Sequence, residues 1–216
     1  MECGVECDRE GYHLLTCPSG GLYFVGHDGT CAAMSGLASG KDGIPGVFAE
    51  WKPHVDVWPR ATRGAEADVG FSRLPGMRDI YVDAVCSLAN PRTYPGCERK
   101  AGIVAEKNAR EKNRDHPIFD PQTHRRMHAF DFCALSFERH GFWVKETVGF
   151  VKKLAASRAV ALGLEPSAEI RRWYAVISCC IQRSNAKVLR GEPVPGRPTP
   201  PPSRFAAMGR DLGFAA

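Results

Sequence analysis

The stretch from Arg63 to Val85 limits what this chain can fold into more than any other. Two short apolar segments in it flank a Pro-Gly pair at Pro75–Gly76, a pattern that predicts a β-hairpin. Asp68 lies on the first arm and Asp83 on the second. A carboxylate inside a strand is costly unless it is paired or holds a cation. Two that meet across adjacent strands make a natural Mg²⁺ site. On the second arm, period two puts Asp79, Tyr81, Asp83 and Val85 on one face and Ile80, Val82 and Ala84 on the other. Asp79 is nearest the turn and is expected to be solvated. Asp83, between Val82 and Ala84, is the one that burial would force to find a partner.

Charge is divided along the chain. Residues 1–90 carry 7 Lys and Arg against 12 Asp and Glu, while residues 91–216 carry 22 against 12. The acidic part suits a cation-binding centre and the basic part a polyanion such as DNA. No apolar run approaches the roughly 20 residues of a transmembrane helix. The acidic, cysteine-bearing N-terminus does not read as a secretory or mitochondrial leader. A cytosolic or nuclear setting without a membrane partner is therefore expected. Of the nine cysteines, Cys31, Cys86, Cys97 and Cys133 are scattered and Cys179–Cys180 are adjacent, which is not a disulfide framework.

The remaining three cysteines differ. Cys3, Cys7, His13 and Cys17 form a Cys-x3-Cys-x5-His-x3-Cys cluster. Two close pairs on a short loop can supply the four ligands of a tetrahedral Zn²⁺. So short a segment has too little apolar surface to fold alone, so the metal would be its core and its role structural.

Asp28 is placed to cap a small-residue helix over 30–38, and His27 beside it reads as a capping or packing residue. Residues 47–58 read as a strand leading into the hairpin, with Glu50 and Asp56 on its wet face or joining the metal site. A basic helix is expected over 97–114, with apolar positions at Ala101, Val104, Ala105 and Ala109. Lys107 and Lys112 on it lie five residues apart, about 140° round the helix, so both cannot point at one spot. A largely buried strand is expected over 129–137, with Asp131 its one liability. A helix carrying Val148, Val151, Ala155, Ala159 and Leu162 follows, and Glu165-Pro166-Ser167 breaks it. The next helix sets Ile170, Trp173, Tyr174, Ile177, Ile181 and Val188 against Arg171, Arg172, Arg183, Lys187 and Arg190, which suits a phosphate backbone. The Pro-rich run that follows is expected to be an extended tail.

In this order the features resemble the restriction-like endonuclease domain at the C-terminal end of non-LTR retrotransposon reverse-transcriptase polyproteins, a branch of the PD-(D/E)xK nuclease superfamily. The resemblance covers roughly residues 3–190. It is carried by the Cys/His knuckle running into His27-Asp28, by Ala67-Asp68-Val69, and by Asp83 in a strand continuing to Ala89-Asn90-Pro91. Ala105-Glu106-Lys107 to Lys112, Phe132 to Gly141, and Trp173 to Lys187 complete it. Ala67 stands where the family has proline, Glu66 where a basic residue often stands, and His116 where tyrosine is usual. Val85 fills the place where many superfamily members hold their lysine, so the lysine must come from the helix.

The resemblance implies an α/β fold, a restriction-endonuclease-like mixed sheet flanked by helices behind a small zinc knuckle. The expected organisation is a knuckle over 1–20, a nuclease core over 21–164, a basic helix over 165–190 and a tail over 191–216. It further implies nicking of target duplex DNA in the nucleus to prime reverse transcription, as part of a polyprotein that also handles the element's RNA. Asp68 and Asp83 would hold Mg²⁺ or Mn²⁺, with the Ala84 carbonyl as a further oxygen. Lys112, or failing that Lys107, would orient the attacking water, with Glu106 assisting. The alternative is a catalytically dead nucleic-acid-binding module with the same fold. A Cys/His hydrolase built on Cys133 and His140 lacks any nucleophile motif.

Overall fold

A computed structural model describes residues 15, 24–53, 55, 66–120 and 122–190. Cys3, Cys7, His13 and Cys17, Asp56 and the Pro-rich tail lie outside the described residues. The elements run α1 (Phe24–Ser39), β1 (Phe48–Trp51), β2 (Val69–Ser72), β3 (Ile80–Ser87), α2 (Ile103–Asp115), β4 (Asp131–Glu138), α3 (Lys145–Leu162) and α4 (Pro166–Leu189). The chain is thus mixed α/β, with one four-stranded sheet in the order β1-β2-β3-β4.

The predicted hairpin is present. β2 and β3 pair antiparallel, with Val69 opposite Val82 and Phe71 opposite Ile80. At the turn, Met77 donates its amide to the Leu74 carbonyl, and Gly76 has φ +66°. Proline at the second position and a positive-φ glycine at the third fit a type II turn. β1 joins β2 antiparallel as an edge strand. It stops at Trp51, short of the expected 47–58, because Lys52 turns left-handed at φ +50°, although the Lys52 amide still reaches the Asp68 carbonyl and the Pro53 carbonyl the Ala67 amide. β4 pairs parallel to β3 along its whole length, from Ile80 beside Asp131 to Ser87 beside Glu138. Parallel neighbours need a crossover, and α2 lies in it.

Alternation along the strands sorts side chains between two unequal layers. Val69, Phe71, Ile80, Val82, Ala84, Cys86, Cys133, Leu135 and Phe137 face the main core. There they meet Met34 of α1, Phe150 and Leu154 of α3, and Trp173, Ile177 and Ile181 of α4. The stripe expected on α4 is therefore core, shared with α3. On α3 the expected Val151, Ala155 and Ala159 are buried, and Phe150 and Leu154 widen the stripe, while Val148 is half-buried and Leu162 is exposed. α2 covers the opposite face through Ala105 and Ala109 against Ala134, beside a small cluster of Val55 and Ala67 with Tyr81, Phe130 and Phe132.

Two helix starts differ from expectation. α1 begins at Phe24, so Asp28 lies inside it and is not its cap. Gly29 lets α1 approach α4 closely; a Cβ there would sit 3.2 Å from Cys180 Sγ and Ser184 Oγ, and such packing outweighs glycine's poor helix propensity. α2 begins at Ile103, not near Cys97, and Ala101 is exposed before it. Gly102 is left-handed at φ +89°, and the Phe142 ring fills the space of a side chain there. Buried Glu138 at the end of β4 accepts the amides of Gly102 at 3.1 Å and Val104 at 3.2 Å. A carboxylate on the first amides of a helix both caps it and complements its dipole. That clamp fixes α2 on the sheet.

Among the described residues, no helix is long and apolar enough to cross a membrane. Cys31, Cys86, Cys97, Cys133, Cys179 and Cys180 are all free thiols.

Candidate active site

β2 begins at Val69 while β3 runs on to Ser87, so the far half of β3 has no β2 partner on that edge. One register step beyond the Val69–Val82 pair, Asp68 stands opposite Asp83. The Asp68 amide still donates to the Val82 carbonyl at 2.9 Å. Its carboxylate then takes over where the strand ends: Oδ2 accepts the Ala84 amide at 2.7 Å. This satisfies a backbone group that the missing strand would leave open. The Asp68 and Asp83 carboxyls are near enough to interact directly, so the two do meet.

α2 runs antiparallel to β3 and lays an i, i+4 row over it. Asn108 donates to Ser87 Oγ, Lys112 Nζ lies 2.5 Å from Asp83 Oδ2, and His116 Nε2 lies 3.2 Å from the same oxygen. The spacing follows from geometry. Eight residues of helix rise about 12 Å, nearly matching the roughly 13 Å that four residues of strand span from Ser87 to Asp83. His116, the C-cap of α2, packs its ring 5.0 Å from that of Phe132. Burial pushes the Asp83 carboxyl up, but the His116 hydrogen bond and the Lys112 ammonium outweigh it and bring the group down to about 2. Asp83 is therefore a carboxylate at any physiological pH.

On the other side of Asp68, α1 supplies His27. Its Nε2 lies 2.9 Å from Asp68 Oδ2 and its Nδ1 2.9 Å from Asp28 Oδ1. Carboxylates on both ring nitrogens favour the doubly protonated ring. Burial works against the charge, yet the two aspartates prevail and His27 titrates above its ordinary value. One turn further along α1 is Cys31, 1% exposed. The donor atoms of His27, Cys31 and Asp68 all lie within 4.8 Å of one another. Burial, then Asp68, Asp28 and Asp83, hold the Cys31 thiol well above the usual range, so without a bound cation it is not a thiolate.

Of the expected site residues, Asp68, Asp83 and Lys112 come together. Lys107 does not: it points away, 3.9 Å from Glu111 and over the Tyr94 ring at 5.2 Å. Glu106 also faces elsewhere, 3.6 Å from Lys100. Glu50 is exposed on the edge strand. Asp79 accepts the Arg73 amide at 3.3 Å near the turn and stays out of the cluster. Cys133 is buried in the main core with its thiol pushed up by burial, and His140 is exposed, so no nucleophile pair forms.

The sequence did carry a signal for the missed members. Asn108, Lys112 and His116 continue the buried face of Ala105 and Ala109 at helical spacing, and Lys107 falls off it. His27 reads as a packing residue only while α1 is thought to begin after it.

No family model matches this chain, and no curated protein does.

Proposed function

We propose that this protein is a metal-dependent DNA endonuclease of the PD-(D/E)xK type. In this reading it nicks target duplex DNA for a non-LTR retrotransposon, acting in the nucleus within or beside the element's reverse-transcriptase polyprotein and RNA. The observation that carries the proposal is the meeting of Asp68 and Asp83 across the hairpin, with the Lys112 ammonium 2.5 Å from Asp83. The mixed sheet flanked by helices on both faces is compatible with the restriction-endonuclease-like fold.

The donor set fits a hard divalent ion: two facing carboxylates, one held ionised, at the mouth of a half-buried site. Mg²⁺ or Mn²⁺ held by Asp68 and Asp83 would lower the pKa of a bound water and offset charge on the scissile phosphate. Asp28 and His27 brace Asp68 from α1, and the Ala84 amide braces it from β3, so the carboxylate is held in place before any ligand arrives. Lys112 neutralises Asp83 in the ligand-free site. Its flexible stem lets the ammonium turn from Asp83 to a phosphoryl oxygen once the carboxylate has another partner. His116 keeps Asp83 oriented throughout. The exposed arginines and lysines of α4, Arg171, Arg183 and Lys187 among them, suit a backbone-gripping surface, so affinity should fall steeply with salt.

The test is Mg²⁺-dependent nicking of supercoiled DNA by the purified protein, comparing wild type with Asp68→Ala and Asp83→Ala. Nicking lost in both variants supports the proposal, and equal activity in all three overturns it. Salt-sensitive DNA binding without cleavage under Mg²⁺ or Mn²⁺ would return the catalytically dead binding module instead.

A further inference from the structure

We infer that His27, Cys31 and Asp68 form a binding site for a thiophilic divalent ion such as Zn²⁺, sharing Asp68 with the hard-ion pair. Three observations converge on it. The three donor atoms lie within 4.8 Å of one another. An ion bound tetrahedrally at about 2.0–2.3 Å needs its ligands only roughly 3.3–3.8 Å apart, a small tightening. His27 and Cys31 are one helical turn apart on α1, so a single rigid element presents a nitrogen and a sulfur to the same point. The third observation is Asp28, whose Oδ1 lies 2.9 Å from His27 Nδ1. A histidine that ligates a metal commonly gives its other ring N–H to a carboxylate, which fixes the ring and leaves the far nitrogen for the ion. Here that far nitrogen, Nε2, faces Asp68.

The donor set selects the metal. Sulfur, imidazole and one carboxylate favour Zn²⁺, Cd²⁺ or Co²⁺ over Mg²⁺, which takes oxygen ligands. Three protein ligands leave a fourth position for water or another oxygen donor. Binding replaces the hydrogen bond between His27 and Asp68 and releases to solvent both the Nε2 proton of that bond and the thiol proton, because the imidazole nitrogen and the thiolate bind without their protons. Ion binding at His27, Cys31 and Asp68 needs no nuclease activity. Only its consequence rests on the nuclease reading: an ion held here draws Asp68 away from the Asp68–Asp83 pair, so micromolar Zn²⁺ should inhibit Mg²⁺-dependent nicking.

The experiment titrates the full chain with Co²⁺, following thiolate-to-cobalt absorption, and counts bound Zn²⁺ by elemental analysis. Cys31→Ser and His27→Gln should each bind one ion per chain fewer than wild type, whatever the N-terminal cysteine cluster holds. Asp28→Asn should weaken this site about tenfold. Cys97→Ser, away from the site, should change nothing. Far-UV circular dichroism of each metal-free variant shows that it folds, and partly buried His27 keeps the test open where fully buried Cys31 is less tolerant. Equal ion counts in wild type and His27→Gln overturn the proposal, as do equal counts in wild type and a folded Cys31→Ser. A site that binds as expected in a protein that nicks no DNA would leave this inference intact and remove the nuclease reading.

Discussion

Among the described residues, one charge cluster between α3 and α4 and another between α1, the hairpin and α2 are built to opposite ends. The first joins α3 to α4: Arg158 Nη1 donates to Glu169 Oε1 at 2.7 Å, and Trp173 Nε1 and Arg172 donate to the same oxygen at 2.6 and 2.9 Å. Arg158 also reaches the Asp42 carbonyl at 2.6 Å. The Arg158 and Glu169 side chains are 8% and 5% exposed, and their charges cancel. The second cluster joins α1, the hairpin and α2. It holds three carboxylates, Asp28, Asp68 and Asp83, around one permanent cation, Lys112, whose side chain is 34% exposed. The first cluster is closed and satisfied, so it can only hold elements together. The second has surplus negative charge and a solvent-facing side, which an added cation would complete.

The two should respond to mutation in opposite ways. The largest effect is expected at the open cluster: Asp68→Asn or Asp83→Asn should cut Mg²⁺-dependent nicking by about 10³-fold or more, on the order of 4 kcal/mol in the barrier. The melting temperature of Asp68→Asn should fall little, since removing that carboxylate relieves crowding among like charges, whereas Asp83→Asn should also lose the stabilisation Asp83 takes from Lys112 and His116. At the closed cluster, Arg158→Ala strands the Glu169 carboxylate, and urea unfolding should show a loss of about 3–5 kcal/mol. The specific activity of the folded fraction should stay within a factor of about two. A nearly neutral Arg158→Ala would dissolve the distinction.

Smaller effects sharpen the contrast. Lys112→Met should reduce nicking about 10²-fold through the lost charge stabilisation, whereas Lys107→Met, five residues away, should leave it unchanged. The pH response separates the two sides of the open cluster. Asp83 titrates in the folded protein at about 2, below the unfolded value of 3.8. Its stabilisation is therefore present above about pH 4 and lost as pH falls through 2. His27 is shifted the other way, above 6.5. Its contribution is full below about pH 6.5 and lost as pH rises through its raised value. Denaturant midpoints of wild type and His27→Gln should thus converge on the alkaline side. Those of wild type and Asp83→Asn should converge only in strong acid.

Much of the site was legible before any coordinates, for a local reason. Period two along β3, the Pro75–Gly76 turn and a carboxylate on each arm are short-range features, and together they set Asp68 opposite Asp83. The four strands and the basic helix could be placed approximately by the same means. Helix starts could not, because α1 extends back to Phe24 through tertiary packing at Gly29, and α2 starts where Glu138, more than thirty residues downstream, caps it.

What the sequence alone determined is the pair of aspartates, since a hairpin carries its own register. Only the tertiary structure decided what surrounds them. Choosing Lys112 over Lys107 requires the rotation of α2 about its axis, which the burial of Ala105 and Ala109 against β4 sets. Bringing His27 and Cys31 to Asp68 requires α1 to lie across the opposite face of the sheet, at the point where β2 ends. Both are packing outcomes between elements far apart in the chain: local pattern records which residues of a helix share a face, not what that face meets.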